Sequence, residues 1–82
     1  MRLDKFLKVS RLIKRRTSAA KAASQGRIYV NGIEAKPAKL LKEGDIITIS
    51  HADAEIKARI LRIPSGNVSM QEASSLYEII ST

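Results

Sequence analysis

Eighty-two residues, 28% of them charged and none of them cysteine, bound the chain to one small domain without disulfides or thiolate metal sites. The formal charge of +7 is unevenly placed: residues 1–27 hold nine Lys and Arg against Asp4 alone, a net of +8, while residues 28–82 hold six against seven acids, a net of −1. A polyanion-binding surface concentrates charge in this way and a merely solubilising one spreads it, so the first third is expected to meet nucleic acid, with an anionic membrane or an acidic protein as the competing class.

No apolar run approaches the ~20 residues that cross a bilayer. The N-terminus carries charge every second or third residue, which leaves no apolar core for a signal peptide. A cytoplasmic protein is expected.

Leu3, Phe6 and Leu7 at i, i+3, i+4 predict an amphipathic helix over residues 2–9, with Leu12 and Ile13 in a short continuation. Asp4 lies off the apolar stripe, where it can pair with Lys8 at i+4 and favour the helix N-terminus. Thr17 is placed to cap a second, alanine-rich helix over 17–25, which Gly26 stops. The start of that helix would offer free N–H groups. With Lys14 close by, Arg15, Arg16, Thr17 and Ser18 would then form a phosphate-binding corner.

Asn31-Gly32 predicts a hairpin between two short strands, with Ile28 and Val30 on one face and Arg27 and Tyr29 on the other. Lys36-Pro37 ends the second strand. After a turn at residues 42–45, residues 46–50 read as a strand and residues 51–54 as a connection. Residues 55–63 alternate as a further strand, and residues 64–67 close it. Ser69 and Glu72 form a capping box for a short helix to about residue 75. Leu76 to Ile80 either continues that helix or makes a last strand, and Tyr77 with Ile79 at period two favours the strand.

Catalytic chemistry finds no support. His51 is the single histidine, expected on an exposed connection, and no glycine pattern suits a nucleotide phosphate loop. No cofactor or metal is expected. Phe6, Tyr29 and Tyr77 are too few aromatics for stacking single-stranded bases, so backbone and shape recognition of folded RNA fits better. Arg2, Lys5, Arg11, Lys14, Arg15, Arg16, Lys21 and Arg27 are the expected phosphate contacts, with Tyr29 and Asn31 at the edge.

Four segments then carry a resemblance. Arg2-Leu3-Asp4-Lys5-Phe6-Leu7, Arg15-Arg16-Thr17 with Ala20, Gly26-Arg27-Ile28 with Val30-Asn31-Gly32, and residues 43–49 stand in the order found in S4-type RNA-binding domains, which the chain resembles over residues 2–50. Residues 1–17 are similar to the small stand-alone S4 proteins of bacterial ribosome-associated quality control. The resemblance implies an α+β, S4-like (alpha-L) fold, with two N-terminal helices packed on a small antiparallel β-sheet. A short C-terminal helix follows, and residues 1–82 form one monomeric domain. It further implies binding to the large ribosomal subunit through large-subunit rRNA and peptidyl-tRNA, supporting alanine tailing by an RqcH-type factor. By the same analogy Arg2 and Arg16 are the important cations, and Asp4 beside them joins the RNA-binding set. The alternative within the class is a ribosome-assembly or heat-shock S4 protein that recycles dissociated subunits.

Overall fold

The computed structural model describes residues 1–66 and 68–81. The chain runs α1 (Leu3–Val9), α2 (Arg16–Ser24), β1 (Ile28–Val30), β2 (Ile33–Glu34), β3 (Ile46–His51), β4 (Ala54–Ile60), α3 (Met70–Ala73), a 3-10 turn (Ser74–Leu76) and β5 (Tyr77–Ser81). The five strands form one antiparallel sheet in the order β2-β1-β3-β4-β5. The expected S4-like α+β architecture is therefore present: a helix pair, a small antiparallel sheet and a short C-terminal helix.

Alternation places one face of the sheet inward. Ile28 pairs with Ile49, which pairs in turn with Ile56, and Val30 pairs with Ile47, which pairs in turn with Ala58, giving two apolar cross-strand rows. Leu3, Phe6 and Leu7 of α1 and Ala19 and Ala23 of α2 are fully buried in the same cluster as Ile28, Ile47, Ile60 and Leu76. The small side chains of α2 let its backbone approach α1 closely. Burial of Leu3, Phe6 and Leu7 removes the apolar face that membrane insertion would need.

Two turns follow directly from sequence. Gly26, at φ +77°, ends α2 in a Schellman motif: its N–H donates to the Ala23 carbonyl and that of Arg27 to the Ala22 carbonyl. A Cβ at Gly26 would meet Glu34 Oε2 at 3.3 Å as well as an unfavourable φ. Gly26→Ala is therefore expected to lower unfolding free energy by about 1–2 kcal/mol, read from the urea midpoint; an unchanged midpoint would contradict the motif. Asn31 (φ 53°) and Gly32 (φ 82°) make the type I′ turn that joins β1 to β2.

Several expectations need correcting. Helix α1 does not continue to Leu12 and Ile13. Ser10 turns its hydroxyl back onto the Leu7 carbonyl and accepts from the Leu12 N–H, and Arg11 enters left-handed backbone at φ 62°. Thr17 is not the cap of α2: Arg15 occupies that position without a side-chain cap bond, and Thr17 sits inside the first turn. The fourth strand stops at Ile60, three residues early, because the Leu61 and Arg62 N–H groups both donate to the Leu76 carbonyl instead of extending the ladder. The last helix is only one turn, capped by the Ser69 side chain as expected, and Tyr77–Ser81 is a strand. His51 and Ala54 are paired residues, so the connection shrinks to Ala52 and Asp53. Of the expected turn at 64–67, Asn67 lies outside the described residues.

Candidate nucleic-acid interface

The starts of the two N-terminal helices contrast. In α1 every early amide is occupied: Leu3 N–H donates to the Lys39 carbonyl at 2.8 Å, Asp4 N–H to the Pro37 carbonyl at 3.2 Å and Lys5 N–H to Asp4 Oδ1 at 2.8 Å. An antiparallel bridge between Arg2 and Leu40, with the Leu41 N–H on the Met1 carbonyl, fixes this end. In α2 the N–H groups of Arg16, Thr17 and Ser18 have no acceptor among the described residues. That end keeps the free donors and partial positive charge that attract anions.

Asp4 links the two helices. It is only 4% exposed, and its partners are not Lys8, as the i+4 spacing suggested, but Arg2 and Arg16. Arg2 grips the carboxylate with two bonds, Nε to Oδ1 and Nη2 to Oδ2, each 3.2 Å. Arg16 reaches it from α2, with Nε 3.5 Å from Oδ2 and Nη2 3.5 Å from Oδ1. Helical spacing favours a Lys8 partner, but Asp4 points inward between the helices while Lys8 stays on the solvent side. The side chains of Arg2 and Arg16 remain 49% and 48% exposed. One buried carboxylate thus orients two guanidiniums whose remaining donors face solvent, beside the open end of α2. Planar, multi-donor guanidiniums held in this way suit phosphate oxygens.

The other expected contacts distribute around this fork. Arg11, Lys14, Arg15 and Thr17 are exposed in the loop between the helices and the first turn of α2, and Lys5 is half-buried on α1. Lys21 and Arg27 share a cavity of about 320 Å³ with Ser18, Ala22 and Gln25 along α2. Lys5, Arg11, Lys14, Arg15, Lys21 and Arg27 have no acidic partner among the described residues. By contrast Arg59 pairs with Glu78 at 2.6 Å and Arg62 with Glu72 at 3.7 Å. Among the arginines, Arg11, Arg15 and Arg27 of the first third are thus unpaired while Arg59 and Arg62 are neutralised; Lys36, Lys39, Lys42 and Lys57 also have no acidic partner among the described residues.

Two expected edge residues stand apart. Tyr29 lines a cavity of about 210 Å³ with Gly32, Thr48, Glu55 and Lys57 on the outer face of the sheet. Asn31 uses both ends of its side chain internally: Nδ2–H donates to Asp45 Oδ1 at 3.1 Å, and Oδ1 accepts from the Ile46 N–H at 3.0 Å. Sequence reasoning missed the segment carrying Pro37, Lys39 and Leu40, which supports the start of α1. Its backbone contacts leave no trace in local periodicity. Leu40, 69% exposed and bridged to Arg2, is an apolar residue at the rim of the fork.

Comparison with known proteins identifies the family. Residues 1–47 match the S4 domain. The RQC P-site tRNA stabilizing factor of Listeria monocytogenes is 49% identical over 80 residues, spanning 98% of this chain and 86% of that protein. The factor of the same name from Halalkalibacterium halodurans is 51% identical over 79 residues, spanning 96% and 89%. Among solved structures, the trimeric Heat Shock Protein 15 of Vibrio cholerae superposes with a TM-score of 0.86 at 33% identity, covering 96% of this chain and 80% of that one. A chain whose helix pair, hairpin and full length all align in this way belongs to the S4 family, among the RQC P-site tRNA stabilizing factors.

Proposed function

We propose that the protein is a non-catalytic RNA-binding factor of ribosome-associated quality control. It docks on large ribosomal subunits carrying a stalled chain, contacts large-subunit rRNA and the P-site peptidyl-tRNA, and supports alanine addition by an RqcH-type partner. The observation that carries this reading is the Asp4-centred pair of arginines beside the open end of α2, in a chain 49% identical to a factor named for stabilising P-site tRNA. Arg2 and Arg16 would grip phosphates, with Lys5, Arg11, Lys14, Arg15, Thr17, Lys21 and Arg27 extending the track.

If about six of these cations meet phosphates, log K should fall with log salt at a slope of about −4 to −5. Arg16→Ala should weaken large-subunit co-sedimentation by roughly tenfold or more, since it removes a charged, multi-donor contact. Arg62→Ala, whose guanidinium is already held by Glu72 and Ser75, should bind as the parent does. Equal losses in the two variants, or salt-independent binding, would overturn the assignment.

Resemblance to a heat-shock protein in the same fold favours a second reading, recycling of dissociated subunits. Deletion of the gene separates the two. Loss of alanine tails on stalled chains supports quality control, whereas intact tails with accumulating free subunits support recycling.

A further inference from the structure

The geometry points to Asn31-Gly32 as a latched deamidation site, at which spontaneous loss of ammonia would irreversibly open the β1–β2 hairpin. An asparagine followed by glycine is the pair most prone to this reaction, because no side chain shields the following amide nitrogen. Gly32 N attacks the Asn31 side-chain carbonyl carbon, a C–N bond forms and ammonia leaves. Water then opens the cyclic imide at either carbonyl, giving aspartate or isoaspartate.

Nothing bulky protects the turn. Space for 4 Å around a Cβ at Gly32 is empty, Asn31 and Gly32 are exposed, and β2 is an edge strand of two exposed residues. What restrains the reaction is the side chain's own anchorage. The Asn31 carboxamide is held by Asp45 Oδ1 and the Ile46 N–H, and the Asn31 N–H donates to the Ile46 carbonyl at 2.8 Å. These bonds draw the reactive carbon toward β3, so attack requires them to break first.

Asp45 is itself fixed, being only 4% exposed and accepting from the Lys42 N–H through Oδ2 at 3.0 Å. The product would not fit this latch. Aspartate at 31 replaces the Nδ2–H donor with an oxygen facing Asp45 Oδ1, setting two carboxylates against each other. Isoaspartate also inserts a methylene into the backbone of a two-residue turn whose register, Val30 opposite Ile33, leaves no slack. The latch that slows the reaction is thus what rejects its product.

The test is peptide mapping by mass spectrometry of the full chain, aged in mildly alkaline buffer with and without denaturing urea. Conversion at residue 31 should be slower in the folded protein by on the order of tenfold or more, following the fraction of molecules locally open. Asp45→Asn, which keeps an acceptor for the Lys42 N–H, should raise the folded-state rate toward the denatured one while circular dichroism stays native. Should that variant unfold, hydrogen exchange on the parent replaces it: exchange of the Asn31 amide should track the deamidation rate across urea concentrations below the transition. Equal rates in folded and denatured parent, no conversion in urea, or exchange that does not track conversion would each overturn the proposal. Asn31→Asp, made directly, should show increased exchange at Val30 and Ile33. Native-like protection there would show that the product is accommodated.

Discussion

Asp4→Asn is expected to weaken binding to the large ribosomal subunit by roughly tenfold, although it removes a negative charge from the proposed RNA-binding surface. The gain from losing that charge is small. At ~10 Å from a phosphate in water it amounts to about 0.4 kcal/mol, and salt reduces it further. The loss is larger. Arg2 and Arg16 are oriented by one carboxylate, and each arginine carries about 2 kcal/mol of rotamer entropy that must be lost again on binding once that hold is gone. Losing part of this at both residues amounts to about 1.5–3 kcal/mol, which outweighs the Coulomb gain. Glu55→Gln, the same change of charge on the outer face of the sheet, supplies the comparison and should leave affinity unchanged or slightly higher. Titration of labelled protein with purified large subunits at fixed salt decides the matter. An Asp4→Asn protein that binds as tightly as the parent would show that net charge, and not positioning, governs the interface.

Leu76→Ala should lower unfolding free energy by about 2–5 kcal/mol, against the about 4–12 kcal/mol expected of a chain this long. Leu76 has no solvent exposure and belongs to the same cluster as Phe6 and Ile47. Its carbonyl also accepts from Leu61 and Arg62, where β4 ends. The S4 match ends at residue 47, yet the core beneath the arginine fork depends on a leucine from the last quarter of the chain. Ile80→Ala, at a half-exposed position of β5, should cost under about 1 kcal/mol. Urea titration measures both, and equal small shifts would mean that the C-terminal segment is an appendage to the core.

The elements that local chemistry dictates were legible from sequence. Leu3, Phe6 and Leu7 announce α1, Gly26 its neighbour's end, Asn31-Gly32 the hairpin and Ser69 with Glu72 the last helix. The errors occur where a distant partner overrides a local rule. Asp4 has a suitable lysine one turn away, but burial between two helices gives it Arg2 and Arg16. Thr17 is a good capping residue, but the loop geometry puts Arg15 at that position. The bonds of the Asn31 side chain to Asp45 and Ile46 were likewise not legible, because both partners lie more than a dozen residues away. Charge placement singled out the first third of the molecule. Which cations are paired required the folded arrangement.

The support of α1 by Pro37, Lys39 and Leu41 also has a consequence for synthesis. A seven-residue helix is too short to persist alone in water, and its outer bonds close a loop reaching the middle of the chain. The residues translated first are therefore among the last to be locked. Until the segment around Leu40 has emerged, the helix that holds Asp4 between Arg2 and Arg16 lacks its outer bonds. A nascent copy thus carries Asp4, the shared partner of the two arginines, on a helix that is not yet fixed.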